Sequence, residues 1–116
     1  MNPRPGRATR HWRNQRLTSI ALLPLGLWFL AALLRQPDLD YATVAAWLAK
    51  PLQALLALLL GIAILWHSGQ GVQVVLEDYV GGRLRGFSIR LSQFIHAVAA
   101  AALAWAVYGL VTGGGA

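Results

Sequence analysis

The chain contains no cysteine. That absence excludes a disulfide framework, a thiolate zinc site and a cysteine-ligated iron–sulfur cluster. Charge is also scarce. Asp, Glu, Lys and Arg make up 12% of the chain, about half the fraction usual in a soluble domain. Acidic residues are scarcest, four against ten basic, leaving a net charge of +6. What fills the 116 residues instead is apolar: 57% are hydrophobic, and the mean hydropathy is +0.53. This is the composition of a membrane protein. The excess of arginine does not point to nucleic acid. The arginines lie in tails and loops beside apolar segments, where basic residues set membrane orientation. Residues 1–16 have no apolar h-region, and the first apolar run leads into no A-x-A pattern, so no secretory signal peptide is expected.

The uncharged segments divide the chain. Residues 1–16 carry Arg4, Arg7, Arg10, Arg13 and Arg16, with Pro3, Pro5 and Gly6 opposing early helix. They read as a basic N-terminal arm, disordered at first and interfacial near His11 and Trp12. Residues 17–116 read as a three-helix membrane anchor with spans at about 17–34, 51–76 and 87–111. The first span has 18 uncharged residues, about 27 Å as helix, close to the minimum for a hydrocarbon core of about 30 Å. Pro24 inside it predicts a kink rather than a break. Between the first two spans, Asp40 is placed to cap a short interfacial helix over 41–49, with Val44, Trp47 and Leu48 on its apolar side. The second span has 26 uncharged residues, about 39 Å, so its last turns reach the headgroup region or the helix tilts. Pro51 suits its first turn. Gly81 and Gly82 end it, and Arg83 and Arg85 are expected in the loop that follows. In the third span, Ala97 to Ala102 and Ala104 form a small-residue face for close helix approach. Gly113 to Gly115 read as a frayed end.

Counting arginines gives an orientation. Five stand in the N-terminal arm, and Arg83, Arg85 and Arg90 stand around the second connection. The first connection holds only Arg35 and Lys50, offset by Asp38 and Asp40. The positive-inside rule then puts the N-terminus and the second connection in the cytoplasm, or in a mitochondrial matrix, and the C-terminus outside. The fold class expected is all-α, a membrane protein with three transmembrane helices. Three such helices are too few to enclose a large cofactor, so they are expected to form part of a hetero-oligomeric bundle.

The chemistry concentrates in WHSGQGVQVVLEDYV, residues 66–80. On a helix Gly71 lies about 40° from His67, and Asp78 about 20°. Gly69 and Gly71 leave room for something flat beside the imidazole. Haem fits that room, and neutral histidine is a common ligand to it. The carbonyl of Ala63 is the natural partner for the other ring nitrogen. The competing reading makes His67 a hydrogen-bonding group between helices. Asp78 and Tyr79 lie about 16–18 Å further along the axis. There a phenol can donate to a quinone carbonyl while a carboxylate orients it or relays protons. Alternatively, Glu77 and Asp78 form a solvated helix end and Tyr79 joins an aromatic belt. His96, inside the third span, reads as a neutral packing histidine. His11 reads as interfacial.

The stretch HSGQGVQVVLEDYV, residues 67–80, resembles the signature of the hydrophobic membrane-anchor subunit of succinate dehydrogenase, the smaller of its two anchor subunits. That family carries a histidine in its second helix followed 11 and 12 residues later by Asp-Tyr, as His67, Asp78 and Tyr79 are spaced here. RLTSIAL at 16–22 and DYAT at 40–43 also resemble the family. The form of the motif is most similar to the alphaproteobacterial and mitochondrial branch. The resemblance covers roughly 11–111 and implies specific roles. His67 matches the axial ligand of haem b and so binds its iron, with the second ligand from a cytochrome b anchor subunit. Tyr79 matches the tyrosine that hydrogen-bonds ubiquinone, Asp78 its supporting carboxylate, and Arg16 an arginine near the haem propionates. It implies a flavoprotein subunit and an iron–sulfur subunit docked on the cytoplasmic face. It also implies a bacterial inner membrane, with the C-terminus periplasmic, ahead of a mitochondrial one. On this reading the chain alone catalyses nothing. A second class stays open on the residues: a small proton-conducting protein using His67, Asp78 and His96, or a structural membrane protein without haem.

Overall fold

The computed structural model describes residues 6–113 and, within them, the side chains of all but Arg7, Ala8 and His11. The expected disorder of the first residues, the frayed end at Gly114 and Gly115, and the interfacial role of His11 lie outside what is described. Among the described residues four helices follow one another: α1 (Arg7–Leu34), α2 (Tyr41–Leu48), α3 (Pro51–Tyr79) and α4 (Gly82–Thr112). No strand is present among the described residues.

α1 starts at Arg7, well before the apolar segment, because nothing after Gly6 opposes helix until Pro24. Its first turns carry Arg7, Arg10, Arg13 and Arg16, and arginine favours helix. The Arg16 guanidinium there lies 4.7 Å from the centre of the Trp12 ring, one turn back. α1 runs through Pro24 without a break. Its end is closed locally: Arg35 and Gln36 donate their backbone N–H groups to Ala32 and Leu33, and the Gln36 side chain also donates to Ala32.

Asp40 caps α2 as the sequence predicts, its carboxylate accepting from the Thr43 N–H at 2.8 Å. That backbone bond, aided by the Thr43 side chain and by Asp38, holds the Asp40 carboxyl below its usual range. Trp47 faces inward and is only 6% exposed. Its ring packs on Trp28 and Phe29 of α1, with centroids 5.9 and 5.7 Å away. α2 also packs against α3 and α4.

One expectation at the α3–α4 junction needs correction. α3 runs past the uncharged segment, carries Glu77, Asp78 and Tyr79 in its last turn, and ends just before Gly81 and Gly82 as expected. Arg83 and Arg85 stand on the first turns of α4, not in a loop. The reason is Gly82, whose φ of +65° lets the chain reverse within Val80 and Gly81. Only glycine adopts that conformation cheaply. Arg85 then reaches back and donates from Nε to the Val80 carbonyl at 2.7 Å, satisfying an oxygen at the exposed helix end.

α3 is the element against which both α1 and α4 pack. A Cβ on Gly61 would run into the Leu103 side chain of α4, and one on Gly69 would touch the His96 ring. These glycines allow the two backbones to approach closely. The assembly measures 56 × 30 × 22 Å, so its thinnest dimension is about two helix diameters. Its apolar core consists of Trp47, Ala54 and Leu60 among the described residues, while most large hydrophobic side chains face outward. The chain exposes 8754 Å², where a water-soluble protein of 12.5 kDa exposes about 6200 Å². Three helices, Trp12–Leu34, Pro51–Tyr79 and Gly82–Thr112, are long and apolar enough to cross a membrane.

Candidate functional site

His67 lies midway along α3, half-buried against α1. Its Nδ1 is 3.2 Å from the Thr18 hydroxyl oxygen. That oxygen is also 3.0 Å from the carbonyl oxygens of Asn14 and Gln15. A threonine hydroxyl has one hydrogen. Were it aimed at Nδ1, the hydroxyl oxygen would face two carbonyl oxygens with no proton between them. The hydrogen therefore goes to the α1 backbone, and His67 Nδ1–H donates to Thr18. In its neutral form the ring then carries its lone pair on Nε2, which has no partner among the described residues.

The expected partner, the Ala63 carbonyl, is not used. That oxygen belongs to α3's own ladder, whereas Thr18 brings an acceptor from another helix. The two glycines beside His67 also divide their work, contrary to expectation. A Cβ on Gly71 would meet nothing within 4 Å, so Gly71 leaves open space one turn from the imidazole. A Cβ on Gly69 would instead lie 3.4 Å from Cδ2 of His96.

His96 is held as sequence reasoning anticipates, by hydrogen bonds on both sides. Its Nδ1 lies 2.8 Å from the Ser92 carbonyl oxygen, which can only accept, so Nδ1 carries the proton. Nε2 then accepts from the Ser68 hydroxyl at 3.2 Å. No lone pair is left for a ligand. The ring borders a groove of about 470 Å³ between α3 and α4, shared with Trp66, Gln70, Gln73 and Gln93. Sequence reasoning had not identified Thr18, Ser68 or Ser92 as partners. Ser92 at four residues before His96 was a readable signal, but the Thr18 contact spans 49 residues and left none.

Asp78 and Tyr79 close α3, about 18 Å along the axis from His67. Both side chains are exposed, Tyr79 by 85%. Neighbouring Glu77 is engaged by Gln73 Nε2 at 2.9 Å. The Asp78 carboxylate and the Tyr79 phenol have no hydrogen-bond partner among the described residues and are free to meet an incoming group. Arg16 is not brought to His67. It stacks on Trp12 and lies about 200° around α1 from Thr18. No cluster of three His, Asp or Glu side chains that could hold a metal occurs among the described residues. Any metal at His67 needs ligands from elsewhere.

Residues 3–110 match the family of succinate dehydrogenase/fumarate reductase transmembrane subunits. Among curated proteins, the succinate dehydrogenase hydrophobic membrane anchor subunit of Rickettsia felis is 34% identical over 102 residues, covering 86% of this chain and 84% of the relative. The same subunit of Rickettsia bellii is 35% identical over 72 residues, 62% of this chain. That of Rickettsia conorii is 32% identical over 73 residues, again 62% of this chain. The last two alignments reach across 58% of those relatives' own length. No solved structure gives a significant match. With three membrane-length helices and the His67, Asp78 and Tyr79 pattern placed along its central helix, the chain belongs to the family of succinate dehydrogenase/fumarate reductase transmembrane subunits.

Proposed function

We infer that the chain is the membrane anchor subunit of a succinate:ubiquinone oxidoreductase and that its central helix serves two sites. One observation carries the reading: of the two histidines within the spans, His67 alone keeps an unpartnered ring nitrogen among the described residues. The residues fit a haem b on two counts. Nε2 of His67 has its lone pair available, and Gly71 leaves the adjoining surface open. A haem bound there supplies a one-electron carrier inside the membrane. A single histidine gives half of a bis-histidine set, so a second ligand comes from a partner, the cytochrome b anchor subunit. The exposed apolar faces of α1, α3 and α4 meet that partner and lipid.

The second site is the end of α3. Ubiquinone reduction takes up two electrons and two protons. The Tyr79 phenol donates a hydrogen bond to a quinone carbonyl, and Asp78, next to it, orients the phenol and relays protons. Electrons arrive from an iron–sulfur subunit, itself carried with the flavoprotein subunit on the cytoplasmic face. Arg83, Arg85 and Arg90 in the first turns of α4, with the arginines of α1, favour that side as cytoplasmic in a bacterial inner membrane. Arg16, stacked on Trp12, keeps its in-plane N–H donors available to haem propionates.

The test is a reduced-minus-oxidised spectrum of the purified complex. A b-type band that His67→Ala abolishes supports the reading. An undiminished band in that variant overturns it.

A further inference from the structure

We propose that Thr18 of α1 is the positioning residue for His67, fixing its tautomer and setting how strongly its Nε2 donates to the haem iron. The inference rests on His67 being a ligand and concerns what lies behind it. The Thr18 hydroxyl is oriented from its own helix: its hydrogen points to the Asn14 and Gln15 carbonyls, each 3.0 Å away. Such back-bonding is usual for threonine inside helices. The oxygen lone pairs are thereby turned to α3, where Nδ1–H of His67 meets them at 3.2 Å. The imidazole is held as the neutral tautomer with Nε2 free, without a charged group.

The type of acceptor matters. A group that accepts from the far ring nitrogen raises the basicity of the coordinating one. A hydroxyl already donating elsewhere accepts less strongly than a carbonyl or carboxylate. Thr18 therefore gives a fixed orientation with modest electron donation. It also makes the setting of α1 against α3 part of the haem environment. A shift of α1 that lengthens this contact weakens donation by His67.

The experiment compares haem midpoint potentials by redox titration of intact complexes carrying Thr18→Ser, Thr18→Val, Thr18→Asn and His67→Ala. Thr18→Ser keeps the acceptor and is expected at the wild-type potential. Thr18→Val removes it at nearly constant volume and shifts the potential upward, because a less basic imidazole stabilises ferric iron less. Thr18→Asn offers a carbonyl oxygen and shifts the potential downward. Wild-type potentials in both Thr18→Val and Thr18→Asn, with the b-type signal lost in His67→Ala, overturn the role of Thr18 alone. If Thr18→Val does not assemble, Thr18→Asn decides, and a potential at or above wild type overturns the proposal. A b-type signal that survives His67→Ala overturns the ligand assignment and this inference with it.

Discussion

His67 and His96 are both imidazoles held between helices, and they differ in one nitrogen. His67 engages Nδ1 with Thr18 and leaves Nε2 open, whereas His96 engages Nδ1 with Ser92 and Nε2 with Ser68. His96→Ala is therefore expected to keep haem at wild-type stoichiometry. It should lower the stability of the assembled complex by about 1 kcal/mol, the scale of an interhelical hydrogen bond in a membrane. Haem-to-protein ratio and thermal inactivation of the complex measure both effects.

Gly61 and Leu103 leave no room for a side chain between α3 and α4. Gly61→Val is expected to destabilise this contact by about 1–3 kcal/mol, the usual cost of overpacking. The double variant with Leu103→Ala should recover most of the loss, because the Leu103 side chain is the atom group in the way. Thermal melts of the two variants check this, and equal melting points for them contradict it.

Gly82 holds φ +65° at the start of α4. Gly82→Ala is expected to cost about 1–2 kcal/mol, the left-handed penalty for an L-residue. It should also loosen the Arg85 bond to the Val80 carbonyl. Hydrogen exchange of the amides near Val80 should rise in the variant relative to those in mid-α3.

The Asp40 cap makes α2 sensitive to acid. The carboxyl is held below the usual carboxylate range, first by the Thr43 N–H. A depressed folded pKa gives stability that is present above the unfolded value and lost as pH falls through the folded one. The Thr43 amide should stay protected at neutral pH and lose protection only below about pH 4. Asp40→Ala should remove that pH dependence, and Asp40→Asn should retain the cap across it.

Much of this fold could be read from uncharged length alone. Leu17 to Leu34 and Pro51 to Leu76 are uncharged and long enough to span, and Asp40 before Tyr41 marks a helix start. The errors lie where local chemistry, not hydropathy, decides. The positive φ of Gly82 turned an expected loop into a reversal and put Arg83 and Arg85 on α4. Arg7 to Arg16 is helical because its four arginines favour helix whatever their charge and no proline or glycine interrupts it. At the candidate site, His67, Asp78 and Tyr79 stand on one helix, so their spacing could be compared with a family signature. Thr18 was not legible, because no periodicity reports which residue of α1 faces His67. The separate duties of Gly69 and Gly71 depend on where α4 passes, and only the packing reveals that.

The central claim is that α3 carries two sites, one at His67 and one at Asp78–Tyr79, about 18 Å apart. The most direct test measures haem content and ubiquinone reductase turnover together in complexes carrying His67→Ala or Tyr79→Phe. The account predicts that His67→Ala loses the b-type haem, while Tyr79→Phe retains it in full and loses quinone turnover by roughly tenfold or more, as removal of a group that binds the reacting carbonyl should. Full quinone turnover in Tyr79→Phe, or haem retained in His67→Ala, would contradict it.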